Sequence, residues 1–575
     1  MTRFLLISLC TLSLAACVPP DGDDDDGLDD DDAASLPPGE PAEATLGAEV
    51  VCASPGAPGA DLPFTDVTSA AGVAYASATP PWTTDPVLHP SAEIESHGGF
   101  SVSDLDGDGH LDLLFSDAVE GPKLFFGDGD FGFSEVDATT RGLPGASAFA
   151  HGVSTIDLEG DGDLDVFLLY MGFNRFFEND GTGHFTDITA DLGLGGREDD
   201  RTITASWADF DRDGDLDVYV ANHGEGSYGP GDSYTPDPDH FYVREPSGRF
   251  RDRIDWVLDE DQHGYAFLAG WLDADDDGWL DLYVVNDLAA EDPSITPNLF
   301  FRNGGETTSE GAWRFSHTPE AALDYSMLGM GLAVGDMDDD GDYDLHITNA
   351  GPTTLSRNDG GVFTDVSLSV AGFSDGSGGD ISWATAWTDH DNDGDLELFT
   401  GYGHMPTKVD GRAPNDTRNR LEQPDALWST PDGGGTFEDI APALGLDNPE
   451  RTRAAVVADI DRNGFPDLVT WALFDGPRLH RGGCNANAWT RISLEHAGSQ
   501  NVSAVGSRVE AWSSGVLVAM GDIAIGSDEV MSAGPAEVLL GLGDAEEVDV
   551  VVRWPDGTTT VNEGVPTRRS VRLGR

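Results

Sequence analysis

Short apolar runs recur in a fixed order along residues 62–484. An apolar, small-residue stretch comes first (GGFSVS, HGVSTI, ITASWA, FLAGWL, GLAVG, WATAWT, AAVVA). A polar, glycine-containing break follows, and then a β-rich run (LLF, VFLLY, VYV, LYVV, LHIT, LFT, LVT). Next comes an aromatic strand, as in NRFFEN (174–179), NLFFRN (298–303) or DALWST (425–430). A turn leads to a fourth, as in HFTDIT (184–189), VFTDVS (362–367) and TFEDI (436–440). Four short strands per unit, parted by Gly, Asn and Asp turns, predict a propeller blade. The units recur roughly every 50–70 residues, too long and too irregular for a stacked β-solenoid.

Ring closure can also be read. A fourth-strand copy, FTDVT (64–68), precedes the first unit, and the seventh has the strand PRLHR (477–481) with no such copy after it. Phe64–Thr68 is therefore expected to supply the outer strand of the seventh blade. Beyond residue 484 the polar breaks stop, and alternating strands (TRISLEH, VGSRVEAW, EVDVVVRW) predict a small separate domain. The expected fold class is all-β: a seven-bladed β-propeller over 61–484, followed by a small β-sandwich-like domain over 485–575.

The polar breaks carry the chemistry. They are DLDGDGHLD, DLEGDGDLD, DFDRDGDLD, DADDDGWLD, DMDDDGDYD, DHDNDGDLE and DIDRNGFPD. Positions 1, 3, 5 and 9 offer oxygen. In the first loop these are Asp104, Asp106, Asp108 and Asp112, and in the second Asp157, Glu159, Asp161 and Asp165. The third has Asp209, Asp211, Asp213 and Asp217; the fourth has Asp273, Asp275, Asp277 and Asp281. The fifth has Asp336, Asp338, Asp340 and Asp344; the sixth has Asp389, Asp391, Asp393 and Glu397. The seventh has Asp459, Asp461, Asn463 and Asp467, with Asn463 the one neutral donor.

Calcium takes about six to eight oxygens in flexible geometry, which alternate carboxylates and one backbone carbonyl can furnish. Glycine at position 6 permits the tight turn. Up to seven structural Ca2+ are expected, with the second loop (Glu159) and the seventh (Asn463, Pro466) departing most from the pattern. An EF-hand would need a chelating Glu at position 12 and flanking helices. Position 12 is instead Phe115, Leu168, Val220, Val284, Ile347, Thr400 or Thr470, within β-type runs, so the loops are strand connectors.

Among 575 residues, 106 acidic groups against 30 basic ones give a formal charge of −76. That makes nucleic acid an unsuitable partner, since phosphate binding needs a basic surface. Residues 1–17 read as a targeting segment: Arg3, an apolar run Phe4–Ala16, and Leu14-Ala15-Ala16-Cys17. Those last four residues resemble a bacterial lipobox, with Cys17 as the lipidated residue and the membrane anchor; an ordinary secretory signal is the alternative. Val18 after Cys17 points to the outer membrane or cell surface rather than inner-membrane retention. Residues 18–60, with DGDDDDGLDDDD at 21–32, are expected to be a solvated tether, or an export signal. Cys10 lies in the signal, leaving Cys52 and Cys484 as an even pair. They flank the closing strand and the seventh blade, so a disulfide stapling the ring is expected, with two free thiols as the alternative.

The DxDxDGxxD loops followed by a β-run resemble the calcium-binding FG-GAP or VCBS repeats of integrin-α-type propellers. The tail, with GSRV (506–509), GLG (541–543) and WPDG (554–557), resembles the ASPIC/UnbV domain. The combination is similar to that of cartilage acidic protein and its bacterial relatives. Its middle, AMGDIAIGSDEVMSAG (519–534), lacks the aromatic and Gln residues expected from the resemblance. Family membership implies a calcium-stabilised extracellular binding, adhesion or scaffold protein, with no established reaction.

No catalytic constellation is legible: no H-x-x-x-H pair, no G-x-S-x-G elbow and no phosphate-cradling loop. His97, His151 and His390 lie singly beside or in loops. A monomer that binds a protein or glycan through propeller-face loops is expected, the insertions at 224–240 and 403–424 being candidates. The alternative is a polysaccharide-active lyase or hydrolase using face-loop residues.

Overall fold

The structure is a computed structural model. It describes residues 36–52, 63–75, 98–117, 120–145, 150–224, 235–259, 262–287, 296–309, 312–373, 380–403, 423–429, 436–473, 475–526 and 531–575. The signal segment with Cys17, the acidic tract, His97 and most of both long insertions lie outside these residues.

The described strands form seven four-stranded antiparallel sheets of the expected kind, and two more in the tail. The first sheet contains Phe100–Ser103, Asp112–Phe115, Lys123–Gly127 and Phe133–Val136 in sequence order. The next five repeat this order, beginning with inner strands at Ala150–Ile156, Thr202–Ala208, Tyr265–Leu272, Gly329–Gly335 and Ser382–Thr388. The seventh contains Thr452–Ala458, Asp467–Ala472 and Gly476–Arg481. Its outer strand is Thr65–Asp66, with Thr65 opposite Arg481 and Asp66 opposite His480. Each inner strand lies against the next, and the seventh lies against the first. This is a β-propeller arrangement.

The small residues of the inner strands have a packing reason. Sheets that converge on one axis leave room there only for short side chains, whose hydroxyls must find partners across the gap. Ser103 and Thr155 hydroxyls meet at 2.7 Å, and Thr204 Oγ1 donates to Phe267 O at 2.8 Å. Larger apolar groups fill the wedges between sheets, as where Phe210, Phe241, Trp271 and Phe315 pack together.

The tail forms sheets of its own and packs closely on the ring: Leu36–Arg575 is one compact unit, and one hydrophobic cluster runs from Ile492, Val509, Val550 and Leu573 to Trp207, Leu216 and Leu158 in the ring. It also takes in part of the expected tether. Glu43–Leu46 pairs antiparallel with Arg569–Gly574 at the edge of a sheet containing Trp489–Glu495 and Val538–Gly541. All four residues of that edge strand are exposed, so backbone pairing alone recruits them and no apolar pattern announces it. The second tail sheet contains Arg508–Ser513, Val516–Asp522, Glu547–Arg553 and Thr559–Pro566. Cys52 and Cys484 form a disulfide with Cα atoms 6.0 Å apart.

Candidate metal centres

Each acidic loop joins an inner strand to the second strand of its sheet, and all seven share one scaffold of hydrogen bonds. Oδ2 of the first-position aspartate accepts the amide of the sixth-position glycine, at 2.9 Å in the first, fifth and seventh loops. The fifth-position side chain accepts the seventh-position amide, at 2.8 Å from Asp108 to His110 and at 2.8 Å from Asn463 to Phe465. The sixth-position glycines sit at φ between 87° and 105°, a region that side-chain-bearing residues rarely adopt.

The ninth-position acid works differently from the others. Asp112 accepts the amides of Leu105 and Gly127, both at 2.8 Å, and so ties its loop to the end of the third strand. Asp344 and Asp467 repeat this with Asn358 and Gly482 at 2.7 and 2.8 Å. Glu397 keeps the position-2 bond, accepting the His390 amide at 3.0 Å, but departs in that its longer arm also pairs with His390 Nδ1 at 2.5 Å. The position-12 residues, such as Phe115 and Val220, are buried in the second strands.

Carboxylate oxygens also converge at the loop centres. Asp104, Asp106 and Asp108 bring carboxylate oxygens within 4.8 Å of one another, as do the corresponding groups of the third, fourth and sixth loops, and Asp336, Asp338 and Asp344 in the fifth. Oδ1 of the third-position aspartate is buried without a hydrogen-bond donor in the first, fourth, fifth and sixth loops (Asp106, Asp275, Asp338, Asp391). In the third loop it is Asp209 Oδ1 and Asp217 Oδ2 that lack one. Buried anionic oxygens without donors are costly unless a cation serves them. Burial, reinforced by neighbouring carboxylates, raises Asp112, Asp209 and Asp391 to about 7 and Asp344 to about 8, and pushes Asp217 and Asp389 well above the usual carboxylate range. Hard, oxygen-only donor sets of this kind fit a divalent cation such as calcium.

Three loops have other partners. In the fourth, Arg302 pairs with Asp275. In the second, burial and then the adjoining Glu159 carboxyl push Asp165 up to about 9. In the seventh, Asp461 pairs with Arg481, and Arg491 Nη1 lies 2.6 Å from Asp459 Oδ2.

Position 4 is the residue that the sequence pattern did not single out. It is left-handed in every loop: Gly107 and Gly160 in the first two, then Arg212 (φ 61°), Asp276 (57°), Asp339 (59°), Asn392 (58°) and Arg462 (59°). The glycines in DLDG and DLEG were the available hint. The turn aims this side chain away from the carboxylates, toward the neighbouring loop and the tail. Arg212 stacks on Trp279 of the fourth loop at 3.6 Å, and Asn392 Nδ2 donates to Gly464 O of the seventh at 2.8 Å. Asp276 meets Arg553 of the tail at 3.0 Å, and Arg462 pairs with Glu537.

The loop face is therefore where the tail docks. Gln500 and Asn501 amides donate to Gly214 O at 3.1 and 3.0 Å, and Arg508 Nη2 donates to Gly341 O at 2.6 Å. Asn485 and Asn487 donate to Asp391 O at 2.7 and 2.9 Å. At Gly541, in the GLG turn, a Cβ would stand 1.7 Å from Asp389 Oδ2, so only glycine admits this approach. The tail's divergent middle enters the ring. Ala533 exchanges 3.0 Å bonds with Phe100 and Val102, Met531 O accepts from Val153 N at 3.1 Å, and the Met531 side chain packs among Ile203, Phe267, Met330, Ile381 and Trp383.

His151, on an inner strand, is buried with Nδ1 3.2 Å from Thr202 O. No described helix is long and apolar enough to cross a membrane.

Repeated oxygen loops at the first turn of each sheet, beneath a β-tail, define a class of repeat propeller. The chain carries FG-GAP-like repeats, matched at residues 104–168 and 157–220, and an ASPIC and UnbV domain, matched at 497–575. No curated protein matches it in sequence. Among solved structures, a protein of Agrocybe aegerita that recognises non-reducing terminal N-acetylglucosamine is similar at 16% identity over 60% of this chain and 79% of that one, with a TM-score of 0.37. PorZ, a surface component of the type-IX secretion system of Porphyromonas gingivalis, is similar at 12% identity over 82% and 59%, with a TM-score of 0.39. A rhamnogalacturonan lyase of Bacillus licheniformis is similar at 12% identity over 68% and 72%, with a TM-score of 0.34.

Proposed function

We propose that the protein is an exported, lipid-anchored, calcium-stabilised propeller that serves as a binding, adhesion or scaffold protein at the bacterial outer membrane or cell surface, with a protein or glycan ligand. The calcium reading is carried by the buried, donorless oxygens of Asp106, Asp275, Asp338 and Asp391. The carboxylates of the first and third to sixth loops would hold the ions. Each ion would offset a local excess of negative charge and fix a strand connection, a structural rather than catalytic task. Export and anchoring are supported by the apolar segment ending at Cys17 and by a disulfide suited to an oxidising compartment.

The tail occupies the loop face, so a large ligand is assigned to the opposite face, where the inner strands begin. Register shifts that mark β-bulges lie near those beginnings, at Ala150/Gly152, Thr202/Thr204 and Ala266/Leu268. Bulges often sit at such rims and re-aim side chains.

Ligand binding to the native state alone adds about 2.7 kcal/mol per site at a hundredfold excess over Kd. A thermal melt in EGTA is expected to fall well below the melt in calcium and to recover when calcium is returned. Identical melts would remove the calcium reading. A glycan and surface-protein binding screen in calcium then addresses the ligand.

A further inference from the structure

The seventh loop breaks the rule of the ring. Elsewhere, apart from the second loop with its paired carboxyls, oxygens at the loop centre are left without donors. Here guanidinium groups reach both leading carboxylates: Arg481, from the end of the third strand, at Asp461, and Arg491 at Asp459 Oδ2. Arg491 comes from the tail strand Trp489–Glu495 and its side chain is only 12% exposed; its Nε also faces Glu537 Oε2 at 3.5 Å. One oxygen of Asp459 remains without a donor.

The donor set is weaker as well. Position 5 is Asn463, so the loop has three carboxylates rather than four. Trp489 lies so close over Gly464 that a Cβ there would stand 1.7 Å from its ring. The fourth loop also meets an arginine, Arg302 at Asp275. Arg302 is the counterpart of Arg481, from the end of the loop's own third strand, but among the described residues no tail guanidinium pairs with the fourth loop's ligand carboxylates, and all four of these remain.

We propose that the seventh loop holds no calcium and that Arg481 and Arg491 supply its positive charge instead, making this loop a fixed, metal-independent latch between the tail and the ring-closing sheet. The inference rests on the calcium reading of the other loops. A divalent ion set beside two guanidinium groups would be repelled by both, while a guanidinium satisfies carboxylates through directed hydrogen bonds. The latch falls on the sheet that also receives Thr65–Asp66, where the ring is closed by strand pairing rather than by chain connection.

The test is the number of Ca2+ ions bound by the full chain, with substitutions in single loops. Asp338→Asn, in the fifth loop, is expected to lose one equivalent, and Asp461→Asn none. A loss of one equivalent with Asp461→Asn overturns the proposal. A crystal of the unsubstituted chain grown in calcium needs no variant. Anomalous density in the first and third to sixth loops and none in the seventh supports the latch, and a calcium peak in the seventh refutes it. Absence of calcium from every loop instead refutes the underlying calcium reading, so the two failures are distinguishable.

Discussion

Met531 offers a sharp test of how the tail is held, because its side chain and backbone ask for opposite things. The side chain is 1% exposed in the middle of the ring, among Ile203, Phe267, Met330, Ile381 and Trp383. Its φ is 60°, a left-handed conformation costing a non-glycine residue roughly 1–2 kcal/mol. Met531→Ala removes the buried thioether and leaves a cavity, so a loss of about 2–5 kcal/mol is expected. At ordinary core positions a further cut to glycine costs about 0.5–1 kcal/mol more, through chain entropy. Here the sign reverses, because glycine adopts the left-handed backbone without strain while alanine keeps it. The expected order of stability is therefore Met531 above Met531→Gly, with Met531→Gly equal to or above Met531→Ala. Urea unfolding of the full chain with calcium present measures both differences. Leu368→Ala, at a side chain 88% exposed, serves as the control and should shift little. A glycine variant about 1 kcal/mol less stable than the alanine variant refutes the backbone reasoning. A negligible loss for both shows that the insertion does not hold the tail.

Two further outcomes follow from contacts outside the metal loops. His240 is buried between Asp200 Oδ2 at 2.8 Å and Asp252 Oδ2 at 2.7 Å; burial alone would lower its pKa, but the paired carboxylates outweigh it and raise it to about 9. A raised folded pKa gives stability that is complete below the unfolded value of about 6.5 and lost as pH climbs through about 9, on the order of 3 kcal/mol. The advantage of the native chain over His240→Gln should therefore shrink between pH 6 and 10, and a constant difference across that range would sink the assignment. Reducing the Cys52–Cys484 bond releases a span of 432 residues in the unfolded chain, worth up to about 6 kcal/mol in the entropic picture. Strand pairing of Thr65–Asp66 keeps the native ring shut, so reductant should lower the denaturation midpoint without changing the native circular dichroism. Equal midpoints with and without reductant would show that the bond constrains nothing.

The local chemistry of this protein was legible in its sequence because it repeats. Seven copies of one loop between apolar runs are enough to specify strand, turn and strand, and the stray copy at Phe64–Thr68 reveals how the ring closes. Alternation of carboxylates with a glycine at position 6 is likewise a short-range property, readable wherever it occurs. Tertiary structure decided what the loops face. Arg491 reaches Asp459 from the tail, and Met531 enters a ring whose inner strands span Phe100 to Ala458, contacts that no spacing rule predicts. The position-4 residues look interchangeable as Gly, Arg, Asp or Asn until the left-handed turn turns them outward to the tail and the next loop. Glu43–Leu46 falls within the stretch expected to be tether, and a strand whose side chains are all exposed and which is held by main-chain hydrogen bonds leaves no mark on the pattern of apolar residues. Repetition encodes the blades, while the docking of one part on another depends on residues that occur once.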